Sequence, residues 1–302
     1  MTELALVALA GFFASMVDGA LGMGFGPTSS SILLSAGISP AAVSATVNVA
    51  KVASGLAAGV SHWRLNNIDH KLVLRLAIPG AVGGLIGALV LTSVSGDAIR
   101  PFLAILLLFV GLRILIRFSR ALPSFRVAAD DDLTPLRTPQ FDVPGVEFAG
   151  LAGGLTNGLV GAWGPVATPF LLHRGLPPRY AIGSVNTAEV AVALVSAGTL
   201  LTALGRGGID IEILAAMLIG GVLAAPLAAY VVRFVPPRLL GLAVAGLLLL
   251  TQTRELAIAF DLPGSRWMAY VGIPVVVGLA AVRPRISRWF RRQQPARGGV
   301  RL

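Results

Sequence analysis

An apolar segment broken by glycine, proline and a polar residue cannot cross lipid as one ordinary helix, because its freed backbone groups must find partners in protein or water. This chain contains two such segments, and they are copies of one another. Residues 18–51 read DGALGMGFGPTSSSILLSAGISPAAVSATVNVAK, and residues 157–189 read NGLVGAWGPVATPFLLHRGLPPRYAIGSVNTAE. With a single one-residue gap, Asp18-Gly19 falls on Asn157-Gly158, Gly22 on Gly161 and Gly26-Pro27 on Gly164-Pro165. Further on, Pro40 meets Pro178, Val47-Asn48 meets Val185-Asn186, and Lys51 meets Glu189. The chain carries an internal duplication.

Most of the rest cannot face water either. Apolar residues make up 55% of the 302 and charged residues 13%, about half the charge of an ordinary soluble domain. At roughly 20 residues per span the chain has room for about seven to nine crossings. The apolar stretches lie at 4–37, 40–60, 72–92, 98–118, 146–172, 178–204, 211–232, 238–260 and 267–282. The first and fifth are the broken ones, and they predict re-entrant helical hairpins. The fold class is an all-α polytopic membrane protein: two inverted repeats, each a broken segment plus three spans, with one extra C-terminal span. The boundaries are a first repeat over 1–118, a polar linker at 119–144, a second repeat over 145–260, and a final span with a basic tail over 261–302. Asp69 and Asp210 are placed to cap the helices that follow them, and the glycines at 80, 83, 84, 220 and 221 suit close helix packing. The absence of cysteine excludes disulfides and thiolate chemistry. No basic residue precedes the first apolar run, so that segment is expected to be retained rather than cleaved as a signal peptide.

Charge sets the topology. If both broken segments return to their own side, 19 of the 24 Lys and Arg residues share one face, against four on the other, with Lys51 inside a span. If both simply cross, the split becomes 11 against 12. The positive-inside rule favours the first arrangement, with the N-terminus outside and the C-terminus in the cytoplasm. The net charge of +10 is largely an arginine-rich tail over 283–301, suited to anionic lipid headgroups and not to nucleic acid.

Inverted repeats with paired interrupted helices point to a secondary transporter whose site lies at the repeat interface. Helix N-termini at the breaks offer free N–H groups and a positive dipole end, which suit an oxyanion. The substrate-binding candidates are Gly22, Gly26, Thr28, Ser29, Asn48, Lys51, Gly161, Gly164, Thr168 and Asn186. Asp18 and Glu189 are candidates for coupling or gating, since an ionisable residue deep in a span is costly. Lys51 and Glu189 either pair across the interface and lock one state, or Lys51 attracts the anion while Glu189 carries a proton, or the two form a static buried pair. Asp18 either caps a half-helix or takes part in proton coupling. The sequence holds no Walker A loop, HExxH or GxSxG motif, so neither a catalytic site, a metal nor a cofactor is expected.

The breaks DGALGMGFGP and NGLVGAWGP, the helices SATVNVAK and GSVNTAE that follow them, and the turn SHWRLNNID resemble the TauE/SafE sulfite exporter family of membrane permeases. The likeness runs over about residues 4–260. It implies a transporter, not an enzyme, that moves sulfite, sulfonates or related small anions outward across the bacterial cytoplasmic membrane. The rival readings are a passive anion channel, an intramembrane enzyme built on Asp18 and Glu189, and a scaffold. Self-association as a homo-oligomer stays open.

Overall fold

The computed structural model describes residues 2–21, 23–119, 140–205, 210–231, 237–262 and 270–281. Gly22, most of the linker and the arginine tail lie outside them. The described regular structure is helical: α1 (Thr2–Leu21), α2 (Phe25–Ser35), α3 (Pro40–Arg64), α4 (His70–Ser93), α5 (Gly96–Ser119), α6 (Val146–Val160), α7 (Gly164–His173), α8 (Pro178–Leu204), α9 (Ile211–Val231), α10 (Pro237–Ala259) and α11 (Tyr270–Ala281). Among the described residues, α3, α4, α5, α8 and the Arg238–Ala259 stretch of α10 are long and apolar enough to cross a membrane. Their outer faces are apolar, as lipid requires: Ile78 is 64% exposed, Phe109 56% and Leu194 60%.

The duplicated sequence gives duplicated local structure. The N–H groups of Gly37 and Ile38 close α2 on the Leu34 and Leu33 carbonyls, and those of Gly175 and Leu176 close α7 on Leu172 and Leu171. This double closure needs a left-handed residue, and Gly37 and Gly175 supply it at φ +90° and +86°. Pro40 and Pro178 then open the next helix, where the missing N–H is no loss.

Small residues decide which helices meet. α4 packs along α6 and α8, α1 along α9, α3 along α8, and α5 along α10. A Cβ on Gly154 would overlap the Gly80 carbonyl, and one on Gly220 would overlap that of Ala8, so α4–α6 and α1–α9 approach at backbone distance. Along α4, Leu76, Gly80 and Gly84 meet Gly150, Gly154 and Gly158 in turn, so α4 and α6 run parallel. The start of α6 lies beside the end of α7, with Gly145 near Phe170 and Arg174, as a re-entrant hairpin demands.

The two aspartates at equivalent helix starts differ in burial. Asp69 is buried; its carboxylate accepts from the Leu72 N–H at 3.1 Å and the Phe141 N–H at 2.6 Å, while its own N–H donates to Ser184 Oγ at 3.1 Å. Asp210 is exposed and accepts from Glu212 and Ile213. Asp69→Ala is therefore expected to cost about 3 kcal/mol and Asp210→Ala about 1 kcal/mol. The midpoints of thermal inactivation in detergent check this order, and equal shifts would contradict it.

Candidate functional site

The two breaks meet face to face. α6 stops at Gly161, which turns left-handed at φ +68°, and its N–H returns to the Asn157 carbonyl at 2.7 Å. Trp163, fully buried, pins the turn by donating from Nε1 to the Val185 carbonyl at 3.1 Å. In the first repeat, Gly24 (φ +131°) leads into α2, and the Phe25 N–H points at Asp18 Oδ1 at 3.4 Å. A Cβ on Gly26 would overlap the Gly161 carbonyl, so the start of α2 rests directly on the end of α6.

The last carbonyls of a helix have no partner within it. Here side chains of α2 and α3 reach across the repeat boundary to take those of α6. Ser30 Oγ donates to the Val160 carbonyl at 2.8 Å, Ser44 Oγ to Gly158 at 2.7 Å, Asn48 Nδ2 to Asn157 at 3.3 Å, and Lys51 Nζ to Gly161 at 2.5 Å. Asn157 Nδ2 in turn donates to Asn48 Oδ1 at 2.6 Å. Lys51 sits at the negative end of the α6 dipole, where a cation is favoured. An ammonium has three N–H groups, and each has an acceptor: the Gly161 carbonyl, Asn157 Oδ1 at 3.0 Å, and Glu189, with which Lys51 forms an ion pair.

Beside this network lies a small cavity that opens to solvent. The first turns of both α2 and α7 reach its wall, through Phe25, Gly26 and Pro27 and through Gly164 and Pro165. Its other polar groups are Asp18, Lys51, Ser54, Asn186 and Glu189. Of the residues singled out from sequence, Gly26, Gly161, Gly164, Lys51, Asn186, Asp18 and Glu189 thus come together on one wall. Thr28, Ser29, Thr168 and Asn48 do not line it: all are buried, Asn48 holds α6, and the hydroxyls of the other three have no hydrogen-bond partner among the described residues. Gly22 lies outside the described residues. Sequence reasoning missed Ser30, Ser44 and Asn157, although Asn157 stands opposite Asp18 in the duplication.

The arrangement brings two positive helix ends to one cavity, where Lys51 is paired with Glu189 and Asp18 caps the start of α2. Among the described residues no cluster of His, Asp and Glu suited to a metal ion occurs. No solved structure matches the chain. A probable membrane transporter protein, YtnM of Bacillus subtilis (strain 168), is 39% identical over 257 residues, covering 85% of this chain and 83% of that protein. The family model described as Sulfite exporter TauE/SafE matches residues 7–254. The chain belongs to the TauE/SafE sulfite exporter family of membrane transporters.

Proposed function

We propose that this protein is a secondary transporter that exports a small sulfur oxyanion, sulfite or an organosulfonate, by alternating access of two inverted repeats. One observation carries the reading: two half-helix N-termini, from equivalent places in the two copies, converge on one cavity between the halves. Glycine at Gly26 and Gly164 lets a ligand come close to the backbone of these first turns, where Pro27 and Pro165 carry no N–H.

The pattern of helix contacts supports the inverted relation. Exchanging the two halves turns α4–α6 into α9–α1 and leaves α3–α8 and α5–α10 unchanged, and all four contacts are extensive. The largest departure from this symmetry lies at α4 and α8. α4 lies along α8, from Asn67 against Gly183 to Gly84 against Ser196, whereas α9 barely touches α3. Under alternating access this is one of two end states, and the other forms when α9 closes on α3 and α4 leaves α8. The cavity extends along Ser54, Gly55 and Ala58, beyond Lys51 toward the C-terminal end of α3. The charge-based topology puts that end in the cytoplasm, so this state takes up its cargo from inside.

The test is flux in liposomes of labelled sulfite, sulfate and methanesulfonate. Saturable uptake of at least one sulfur anion, with counterflow and without sustained current, is the expected result. Unsaturable flux with single-channel currents would replace this reading with a channel. No flux of any of the three from folded protein would overturn the cargo.

A further inference from the structure

The duplication places Asp18 where Asn157 stands, and Glu189 where Lys51 stands. In the observed state Asn157 Oδ1 and Lys51 Nζ meet at 3.0 Å at the end of α6, while Asp18 caps Phe25 and Glu189 pairs with Lys51. If the repeats exchange conformations, Asp18 and Glu189 must take up the approach that Asn157 and Lys51 make now. An amide and an ammonium make that contact as acceptor and donor. Two carboxylates are both acceptors, and they make it only with a proton between them.

We propose that Asp18 and Glu189 form a proton site that must be filled before the carrier reaches its other state. The proton comes from water on one side, bridges one oxygen of each carboxylate, and leaves as the contact opens. This inference rests on the alternating-access reading and adds the ion that governs it. The charged group facing both carboxylates is Lys51 of α3, whose N–H groups all have acceptors in the observed state. α2 carries no titratable side chain, and those described on α9 and α10, Glu212, Arg238, Arg254 and Glu255, stand near helix ends.

The same register places Ala58, on the cavity wall, opposite Ser196, which is fully buried beneath α4. Ser196 becomes accessible only when α4 leaves α8, so Ser196→Cys reads the exchanged state without any need to know the cargo. The experiment is labelling of the Ser196→Cys protein in liposomes with a membrane-impermeant thiol reagent from pH 5.5 to 8. Rates are normalised at each pH to those of Ser95→Cys, which lies on the exposed α4–α5 turn. One obligatory proton gives a normalised rate that falls about tenfold per pH unit at the upper end of the range. Adding Asp18→Asn, which keeps an acceptor for Phe25 and supplies the amide found at Asn157, is expected to flatten that dependence to within about twofold. Labelling independent of pH with Asp18 intact, or an unchanged pH dependence with Asp18→Asn, would overturn the proton site and leave the exchange of states standing. No labelling at any pH in either protein, with Ser95→Cys still reactive, would overturn the exchange and the proton site together.

Discussion

Lys51→Ala is expected to abolish transport and to destabilise the protein by about 3 kcal/mol, near the lower end of what removing one partner of a buried pair costs. The Lys51 side chain is 6% exposed and that of Glu189 16%, so the abandoned carboxylate regains only part of its hydration. The Gly161 carbonyl and Asn157 Oδ1 lose their donor at the same time, and these are the groups that hold the end of α6 against α3. Removing both charges with Lys51→Met and Glu189→Leu leaves no unpaired ion and is expected to recover about half of the lost stability. Flux stays absent in the double variant, because the Gly161 carbonyl and Asn157 Oδ1 still lack the lysine donor. Inactivation midpoints and flux, measured on the same preparations, separate the two effects. Wild-type flux in Lys51→Ala would contradict a role for the lysine in transport.

Gly26→Ala is expected to lower flux by about 100-fold, the scale of loss when groups that must meet a ligand move by an ångström. The added methyl would overlap the Gly161 carbonyl, and a backbone atom has no rotamer with which to yield. α2 and the α6 turn must separate, and the two helix ends no longer point at one place. The stability cost is smaller, about 1–3 kcal/mol. Gly198→Ala is the control. Gly198 lies inside α8 with open space where its Cβ would stand, so alanine there is expected to be neutral or to stabilise by up to about 1 kcal/mol. Equal loss of flux in both variants would mean that the Gly26 contact has no special place.

Much of this was legible in the sequence. The apolar runs gave the helices to within a few residues, since the Pro40 and Pro178 starts and the Gly37 and Gly175 stops are local signals. The duplication puts Lys51 and Glu189 at equivalent positions but left open whether they pair, and the ion pair came only with the structure. The rotation of each helix about its axis was not. Thr28 and Ser29 follow Gly26 and Pro27 directly, yet about 100° of turn per residue takes their hydroxyls away from the cavity wall that Gly26 and Pro27 reach. The capture of the α6 carbonyls by Ser30, Ser44 and Asn48 was hidden for another reason. It joins residues more than a hundred positions apart and depends on where α6 ends, which only packing decides. The Arg75 ion pairs with Asp142 and Glu147 were equally silent, since exposed charges carry no positional pattern.

In the proposed function the anion sits in the cavity between the two breaks. The chain has no cysteine, so a single one at Ala58 reports on that wall without any background. Ala58→Cys is labelled with an impermeant thiol reagent offered from the cytoplasmic side, across a range of methanesulfonate or sulfite concentrations, whichever the protein transports. The expected result is labelling that slows and saturates, with half-protection at the concentration that half-saturates flux. Labelling that stays constant at anion concentrations that saturate flux would place the transported anion elsewhere and contradict the account.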